Sequence, residues 1–435
     1  MSLRRQLVQS FLVQGVGAAS VLLATVWLGV SLGPELQGGF SRSKSEIEFV
    51  AALAMFGLPQ ALFFYTKSGG LGGRQALRWA GASVLVALAI GIAYALLQRA
   101  ADALAVLALA AAVAANVGQG QLRALLLVRE RLVWFNAITA LPQVGVLAGV
   151  AGLILFGGYA VSGPAPAWGW VFAVAYAVAA LLAWRRLSAA PDTPATPTTG
   201  ASVGWRALGH FGLAAWLTAV LSTAAILAVQ CWVEAVEGPA ALGQFSTAMT
   251  LVQVPLLPIS YAAPLLFRRW MEQPGAGASR RWAGLLFGLL LAAALLVWVL
   301  AAVWPDLGLG TAYAGATQAL ALLLAGGAAD AASRLLTVQA SASGSPWIAV
   351  RAELARWAVL AAGGGWLLLQ GGWLAIGLVS GSMEPGPSKL LAPGQSGLLP
   401  VCAVWAAAAW AAALVFAWSG RAAAGGALVS ARTSH

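Results

Sequence analysis

The chain has 435 residues, of which 61% are hydrophobic and only 9% charged, against roughly 45–50% and about 25% in a soluble domain. So few charges do not cover a water-facing surface, which excludes a soluble enzyme and a disordered tail together. Lys and Arg outnumber Asp and Glu by 24 to 13, for a formal net charge of +11, but the cations fall in short segments between apolar stretches rather than in a stripe, so no nucleic-acid partner is implied.

About 20 apolar residues cross the hydrocarbon of a bilayer as a helix. Twelve stretches of that kind occur, at 6–31, 37–65, 76–97, 103–127, 132–157, 165–184, 207–233, 240–267, 282–304, 312–338, 348–378 and 398–418. The first follows Arg4 and Arg5 but is too long for the apolar core of a signal peptide and has no small-residue cleavage site, so it reads as a first helix that is kept. Residues 188–204, rich in Pro, Thr and Ser, form a linker between an N-terminal six-helix lobe at 1–187 and a C-terminal one at 205–435. Residues 382–397 form an outer loop in which Pro and Gly prevent helix. Neither is long enough for a folded domain.

Translocated loops are poor in Lys and Arg. With the N-terminus in the cytoplasm, only Arg42, Lys44, Arg99 and Lys389 of the 24 cations fall outside. This distribution predicts an even number of spans and two cytoplasmic termini. Cys231 and Cys402 are the only cysteines and there are two histidines, too few for a disulfide framework or a Cys/His metal centre. No G-x4-G-K-[ST] phosphate loop occurs and Lys stands only at 44, 67 and 389, so ATP hydrolysis by that route is excluded. No cofactor is implied.

Polar residues inside a span are costly and mark pathways or partners. On the fourth stretch Asn116, Gln119 and Arg123 share one helical face. Arg123 lies near the cytoplasmic end, where snorkelling to the headgroups competes with a binding role. On the tenth stretch Asp330, Arg334, Thr337 and Ser341 form a second stripe, in which Asp330 and Arg334, four apart, could simply neutralise each other. Arg42, Lys44, Glu46 and Glu48 offer two i,i+4 pairs near an outer rim. Gln14, Gln60 and Gln143 are mid-span amides that suit interhelical hydrogen bonds as well as ligand contact. Most of the 20 tryptophans, including Trp79, Trp184, Trp205, Trp270 and Trp282, lie at helix ends, where an interfacial belt accounts for them.

Shifting the chain against itself by 205 residues superimposes Trp27, Gly33, Pro34, Gly38, Phe40, Ser41 and Pro59 on Trp232, Gly238, Pro239, Gly243, Phe245, Ser246 and Pro264. Coincident Trp, Pro and Phe at fixed spacing point to a duplication. Gly-Pro ends one helix and starts the next, and the later proline kinks or ends the second. Glu48 aligns with Gln253, which shares a polar face with Ser246, Thr250 and Ser260, so both positions are cavity candidates. Halves with even span numbers share an orientation, as in parallel-repeat transporters, with a cleft between them.

The opening SLGPELQGGFS followed by FGLPQALFFY resembles the first two helices of polysaccharide or O-antigen repeat-unit flippases. That family belongs with the multidrug MATE exporters and the lipid II flippases. GQLRALLLVRERLVWFN at 120–136 is similar to the family's junction of helices four and five, and SRLLTVQASASGSPW at 333–347 adds weaker support. The two extra helices typical of lipid II flippases are not found. The resemblance implies an all-α membrane protein of 12 transmembrane helices in two pseudo-symmetric six-helix lobes around a central cavity. It also implies a bacterial inner-membrane transporter, not an enzyme, that flips an undecaprenyl-diphosphate-linked glycan among membrane lipids from the cytoplasmic to the outer leaflet. Arg123 and Arg334 would then present their forks to the diphosphate, with Asp330, Asn116, Gln119, Glu48, Gln253 and Gln60 as further cavity candidates. Asp330 could carry a coupling proton. The reading leaves room for a proton or sodium counter-ion and for contact with polysaccharide polymerase machinery. Its rival is a MATE-like ion-coupled exporter of drugs or organic cations, which would need a carboxylate in the first lobe; the first stretch has none. A polymerase or ligase would need outward-facing catalytic segments larger than a loop carrying only Glu384 and Lys389.

Overall fold

A computed structural model of the chain describes residues 3–67, 73–98, 102–157, 164–188, 205–272, 278–300, 303, 313, 316–343, 345–370 and 398–433. The helices are α1 (Leu3–Met55), α2 (Leu58–Lys67), α3 (Gly73–Leu97), α4 (Ala103–Val128), α5 (Leu132–Phe156), α6 (Pro164–Ser188), α7 (Trp205–Glu237), α8 (Pro239–Glu272), α9 (Ala278–Leu300), α10 (Ala316–Ala342), α11 (Trp347–Gln370) and α12 (Leu398–Thr433). Each expected apolar stretch overlaps a helix or helical arm where it is described, but 37–65 is broken at Phe56 and Gly57 into the end of α1 and α2, and residues 371–378 of the eleventh stretch lie outside the described residues. Ten of the described helices are long and apolar enough to cross a membrane, and one of these, Val8–Met55, is 48 residues long. The protein is therefore all-helical among its described residues, as a chain that must satisfy its own backbone in hydrocarbon has to be. The expected linker beyond Ser188 and the outer loop at 382–397 lie outside the described residues.

The long α1 is two helical arms joined at Gly33 (φ 82, ψ 173), with Pro34 opening the second arm. A positive φ suits glycine alone, and proline at the first helical position lacks only an amide hydrogen that would have had no partner there. The same joint recurs 205 residues later. Gly238 has φ 85 and separates α7 from α8, which begins at Pro239. Sequence repeat and backbone repeat thus agree at this point.

They part company at the later proline. In the first half the chain breaks just before Pro59, at Phe56 (φ 48) and Gly57 (φ 66). In the second half α8 runs unbroken through Pro264. Both prolines strain the preceding turn, but the 205-residue shift puts Ala262 opposite Gly57, and alanine does not readily take the left-handed conformation that the break needs. The break costs Leu53 the amide that would have bonded its carbonyl. The Trp216 indole on α7 donates to that carbonyl at 3.0 Å, and its ring stacks on Phe56 with centroids 5.8 Å apart.

The chain divides into two compact units, Met1–Leu227 and Ala228–His435. In the first, α4 is the central helix, packed against α1, α2, α3, α5 and α6. Its core gathers Leu28, Phe40, Ile47, Val113, Val117, Val150, Trp168 and Phe172; Phe40 meets Trp168 edge-on at 5.4 Å and stacks on Phe172 at 5.2 Å. In the second unit α10 takes the equivalent place, against α8, α9, α11 and α12. Small residues set the helix separations: a Cβ on Gly149 would come within 2.7 Å of Val171, and one on Gly326 within 2.8 Å of the Ala406 backbone.

Gly33→Ala and Gly238→Ala, where an added Cβ meets nothing, should each lose about 1–2 kcal/mol from backbone strain alone. Gly57→Ala should lose more, because its Cβ also runs into the Gly212 carbonyl. Apparent melting temperatures in detergent should rank Gly57→Ala lowest of the three.

Candidate functional site

In the first unit the polar stripe of α4 faces α5. Gln119 is buried and donates from Nε2 to the Ile138 carbonyl at 2.9 Å. Its donor serves to hold two helices together. Asn116, partly buried, lies one turn away. Nearby, Gln14 donates to Asn136 Oδ1 at 2.6 Å, and Asn136 donates to Ser10 Oγ at 3.0 Å, all three residues buried. That chain joins α1 to α5, so Gln14 is an interhelical amide.

Arg123 sits one turn beyond Gln119 with its guanidinium 5.7 Å from the centroid of the Phe135 ring. It is not alone. The Tyr176 hydroxyl on α6 lies within electrostatic reach of both Arg123 and Glu48, so the second arm of α1, α4 and α6 bring a carboxylate, a phenol and a guanidinium into one neighbourhood. Glu48 is also paired with Lys44 at 2.8 Å, and Arg42 with Glu46 at 3.1 Å; both i,i+4 pairs expected on this arm are formed. Gln60, exposed on α2 just past the chain break, does not join this group.

The second unit holds the denser cluster. Asp330 on α10 accepts from Arg334 Nε at 2.8 Å through one oxygen and from Arg356 Nη2 at 2.7 Å through the other. Arg334 reaches further, donating from Nη2 to Gln253 Oε1 on α8 at 3.2 Å. Arg356 on α11 also lies 3.4 Å from Glu353 Oε2 and 5.8 Å from the Trp405 ring centroid on α12. Four charged groups from two helices thus balance one another, two against two. The expected Asp330–Arg334 pair is present, but it is half of a larger arrangement.

The two units repeat a relation. Glu48 and Gln253, aligned by the 205-residue shift, are each linked to the arginine of their unit's central helix: Glu48 acts with Arg123 on Tyr176, and Gln253 accepts from Arg334 directly. Gln119 and Arg123 are four apart on α4, as Asp330 and Arg334 are on α10.

Arg356, which the sequence reading counted among the loop cations and gave no partner, is drawn into this cluster. Its side chain is 4% exposed, and its partner Asp330 comes from another helix. Glu353 and Tyr176 also escaped notice. The signal for the first two was a Glu and an Arg three apart on an otherwise apolar helix; for Tyr176 there was none, since a single phenol on an apolar helix does not reveal its neighbours. The 120–136 stretch has a structural account as well. Arg129 and Arg131 donate to the Leu187 and Arg186 carbonyls at 2.9 and 2.7 Å, and Arg186 lies over Trp134 at 3.9 Å. Cations thereby satisfy the last carbonyls of α6, where the helix dipole favours them.

No protein-family model matches the chain, and no curated protein matches it. Among solved structures it is similar to a variant of the Vibrio cholerae MATE transporter VcmN, at 18% identity and a TM-score of 0.59 over 96% of this chain and 98% of that one. It is similar also to a MATE transporter in complex with MaL6, at 15% identity and 0.62 over 95% and 94%. A third is a MOP-superfamily transporter from Pyrococcus furiosus, at 14% identity and 0.58 over 96% and 94%. The fold is that of the MATE transporters. At these identities the likeness is one of fold.

Removing Asp330 leaves Arg356, among the described residues, with the 3.4 Å contact to Glu353 and the Trp405 ring. Asp330→Ala should therefore destabilise the protein by about 3 kcal/mol, in the range for an orphaned buried charge. Arg42→Ala, at a pair about a third exposed, should cost less than about 1 kcal/mol. Thermal unfolding of the two variants side by side checks the contrast.

Proposed function

We propose that the protein is a secondary transporter of the bacterial inner membrane that moves a polyprenyl-diphosphate-linked oligosaccharide from the cytoplasmic to the outer leaflet by alternating access. The observation that carries the reading is the arginine on the central helix of each unit: Arg334, bonded to Gln253 of the second repeat helix, and Arg123, which acts with Glu48 on the Tyr176 hydroxyl. Guanidinium forks suit phosphate oxygens. The lipid tail stays in hydrocarbon while the head group follows the polar residues. Both chain termini and the Pro/Thr-rich segment at 188–204 lie in the cytoplasm on this reading, which treats 1–187 and 205–435 as its two lobes. The fold's likeness to the MATE transporters supports the transport step, and the resemblance of the 31–41 and 56–65 segments to repeat-unit flippases supports the substrate.

No nucleotide is needed for the energetics. Two negative charges moving outward down an inside-negative potential release roughly 4.6 kcal/mol per 100 mV, at about 2.3 kcal/mol per charge. A proton or sodium counter-ion is compatible with this and not required by it.

The second reading is an ion-coupled exporter of drugs or organic cations, favoured by the fold of the MATE neighbours. Against it, the first arm of α1 carries no carboxylate, and Glu48 already pairs with Lys44. Deleting the gene and analysing lipids by leaflet separates the two. Undecaprenyl-linked oligosaccharide should accumulate on the cytoplasmic leaflet; drug sensitivity with normal surface glycan would instead establish the exporter. In the same background Arg123→Ala and Arg334→Ala should insert normally and restore little surface glycan. Full complementation by both would remove the diphosphate-binding role.

A further inference from the structure

The Asp330 cluster contains a group that its neighbours leave poorly served. Both Asp330 oxygens hold guanidinium N–H groups at 2.8 and 2.7 Å. Glu353 Oε2 is buried with no hydrogen bond, and its contact with Arg356 Nη1 is 3.4 Å long. Arg356 Nε is likewise buried and unbonded. A carboxylate oxygen kept from water without a hydrogen bond is the one that gains most by taking a proton, whereas protonating Asp330 would weaken two short charge-assisted bonds.

We propose that this cluster is a proton-linked oxyanion site, in which proton uptake at Glu353 creates the net positive charge that an anion at Arg334 then balances. With Arg334, Arg356, Asp330 and Glu353 all ionised the cluster is neutral. One added proton leaves it at +1. Arg356 is deeply buried and stays on Asp330, so the added charge is expressed toward Arg334, whose side chain is 36% exposed against 4% for Arg356 and 17% for Asp330. The Gln253 amide beside Arg334 supplies neutral N–H donors to the same ligand.

The charged surroundings of Glu353 are few. On its own helix there are Arg351, exposed, and Arg356; α10 brings Asp330 and Arg334. From α12, among the described side chains, come only the buried Cys402 thiol and the uncharged Trp405. Among the described side chains Asp330 is the one other carboxylate acting on Glu353, and its two short bonds disfavour a proton there. Because linkage is reciprocal, protonation must tighten the anion as much as the anion favours protonation. The choice of an oxyanion rests on the proposed diphosphate substrate; the proton at Glu353 rests on the cluster alone.

The test uses the purified full chain in detergent, with sulfate as the probe because its charge does not change between about pH 5.5 and pH 8. Titration calorimetry in two buffers of different ionisation enthalpy reads both affinity and protons taken up. Wild type should bind sulfate about tenfold more tightly at about pH 5.5 than at pH 8, within the usual span of coupling between sites, and should take up protons on binding near the midpoint. Glu353→Gln should hold the tight affinity at both pH values with no proton uptake, while Arg334→Gln should bind sulfate weakly throughout. Should Glu353→Gln fail to fold, Glu353→Asp serves, with a shifted midpoint expected; the wild-type proton count needs no variant. An unchanged pH dependence in Glu353→Gln, sulfate binding without proton uptake, or no sulfate binding at either pH would each overturn the inference. All three leave the lipid-trapping result intact. Conversely, proton-linked sulfate binding in a protein whose deletion traps no lipid-linked glycan overturns the flippase reading alone.

Discussion

In hydrocarbon a carbonyl, an amide or a guanidinium has no water to turn to, so each must be met by another protein group. Much of this structure follows from how that demand is answered. The Leu53 carbonyl, left open by the break at Gly57, is answered by the Trp216 indole. The Ile138 carbonyl is met by Gln119. Where the demand is answered in full, the polar residue has a structural role. Where it is not, as at Glu353 Oε2 and Arg356 Nε, the structure has kept an interaction open, and that is where chemistry is best sought.

The duplicated halves show how one substitution changes what a repeat does. Gly33–Pro34 and Gly238–Pro239 form the same joint with nearly the same φ. The prolines farther along are also conserved between halves, yet only the first interrupts its helix, because glycine precedes it by two residues and alanine holds that place in the second half. The same divergence runs through the polar positions. The central helices are not in the 205-residue register, which sets Gln119 against Leu324, but each carries a polar residue four before an arginine: Gln119 on α4 bonds a backbone carbonyl, and Asp330 on α10 joins an ion network. A duplication supplies two copies of a scaffold; their charges can then specialise.

That specialisation bears on mechanism. The first unit presents Arg123 beside an aromatic ring and a phenol, with Glu48 engaged by Lys44. The second presents Arg334 at the edge of a buried, balanced cluster. One arginine has no direct carboxylate partner among these interactions and the other is held by one, so the two units differ in their charge arrangement.

Apolar runs of membrane length, Gly-Pro joints and the 205-residue repeat were legible in the amino-acid order, because each is a local matter: a run of side chains against a bilayer thickness, or a φ that one residue type accepts. The stripe of Asn116, Gln119 and Arg123 was legible for the same reason, since a period of 3.6 records which residues share a face. What the face meets is not local. Gln119 bonding the Ile138 carbonyl, Gln14 bonding Asn136 across 122 positions, and Arg356 pairing with Asp330 were settled only when the helices packed. Helical periodicity fixes the direction of a side chain about its own axis, but the partner that makes a buried charge tolerable comes from another helix, and which helix that is depends on the tertiary fold.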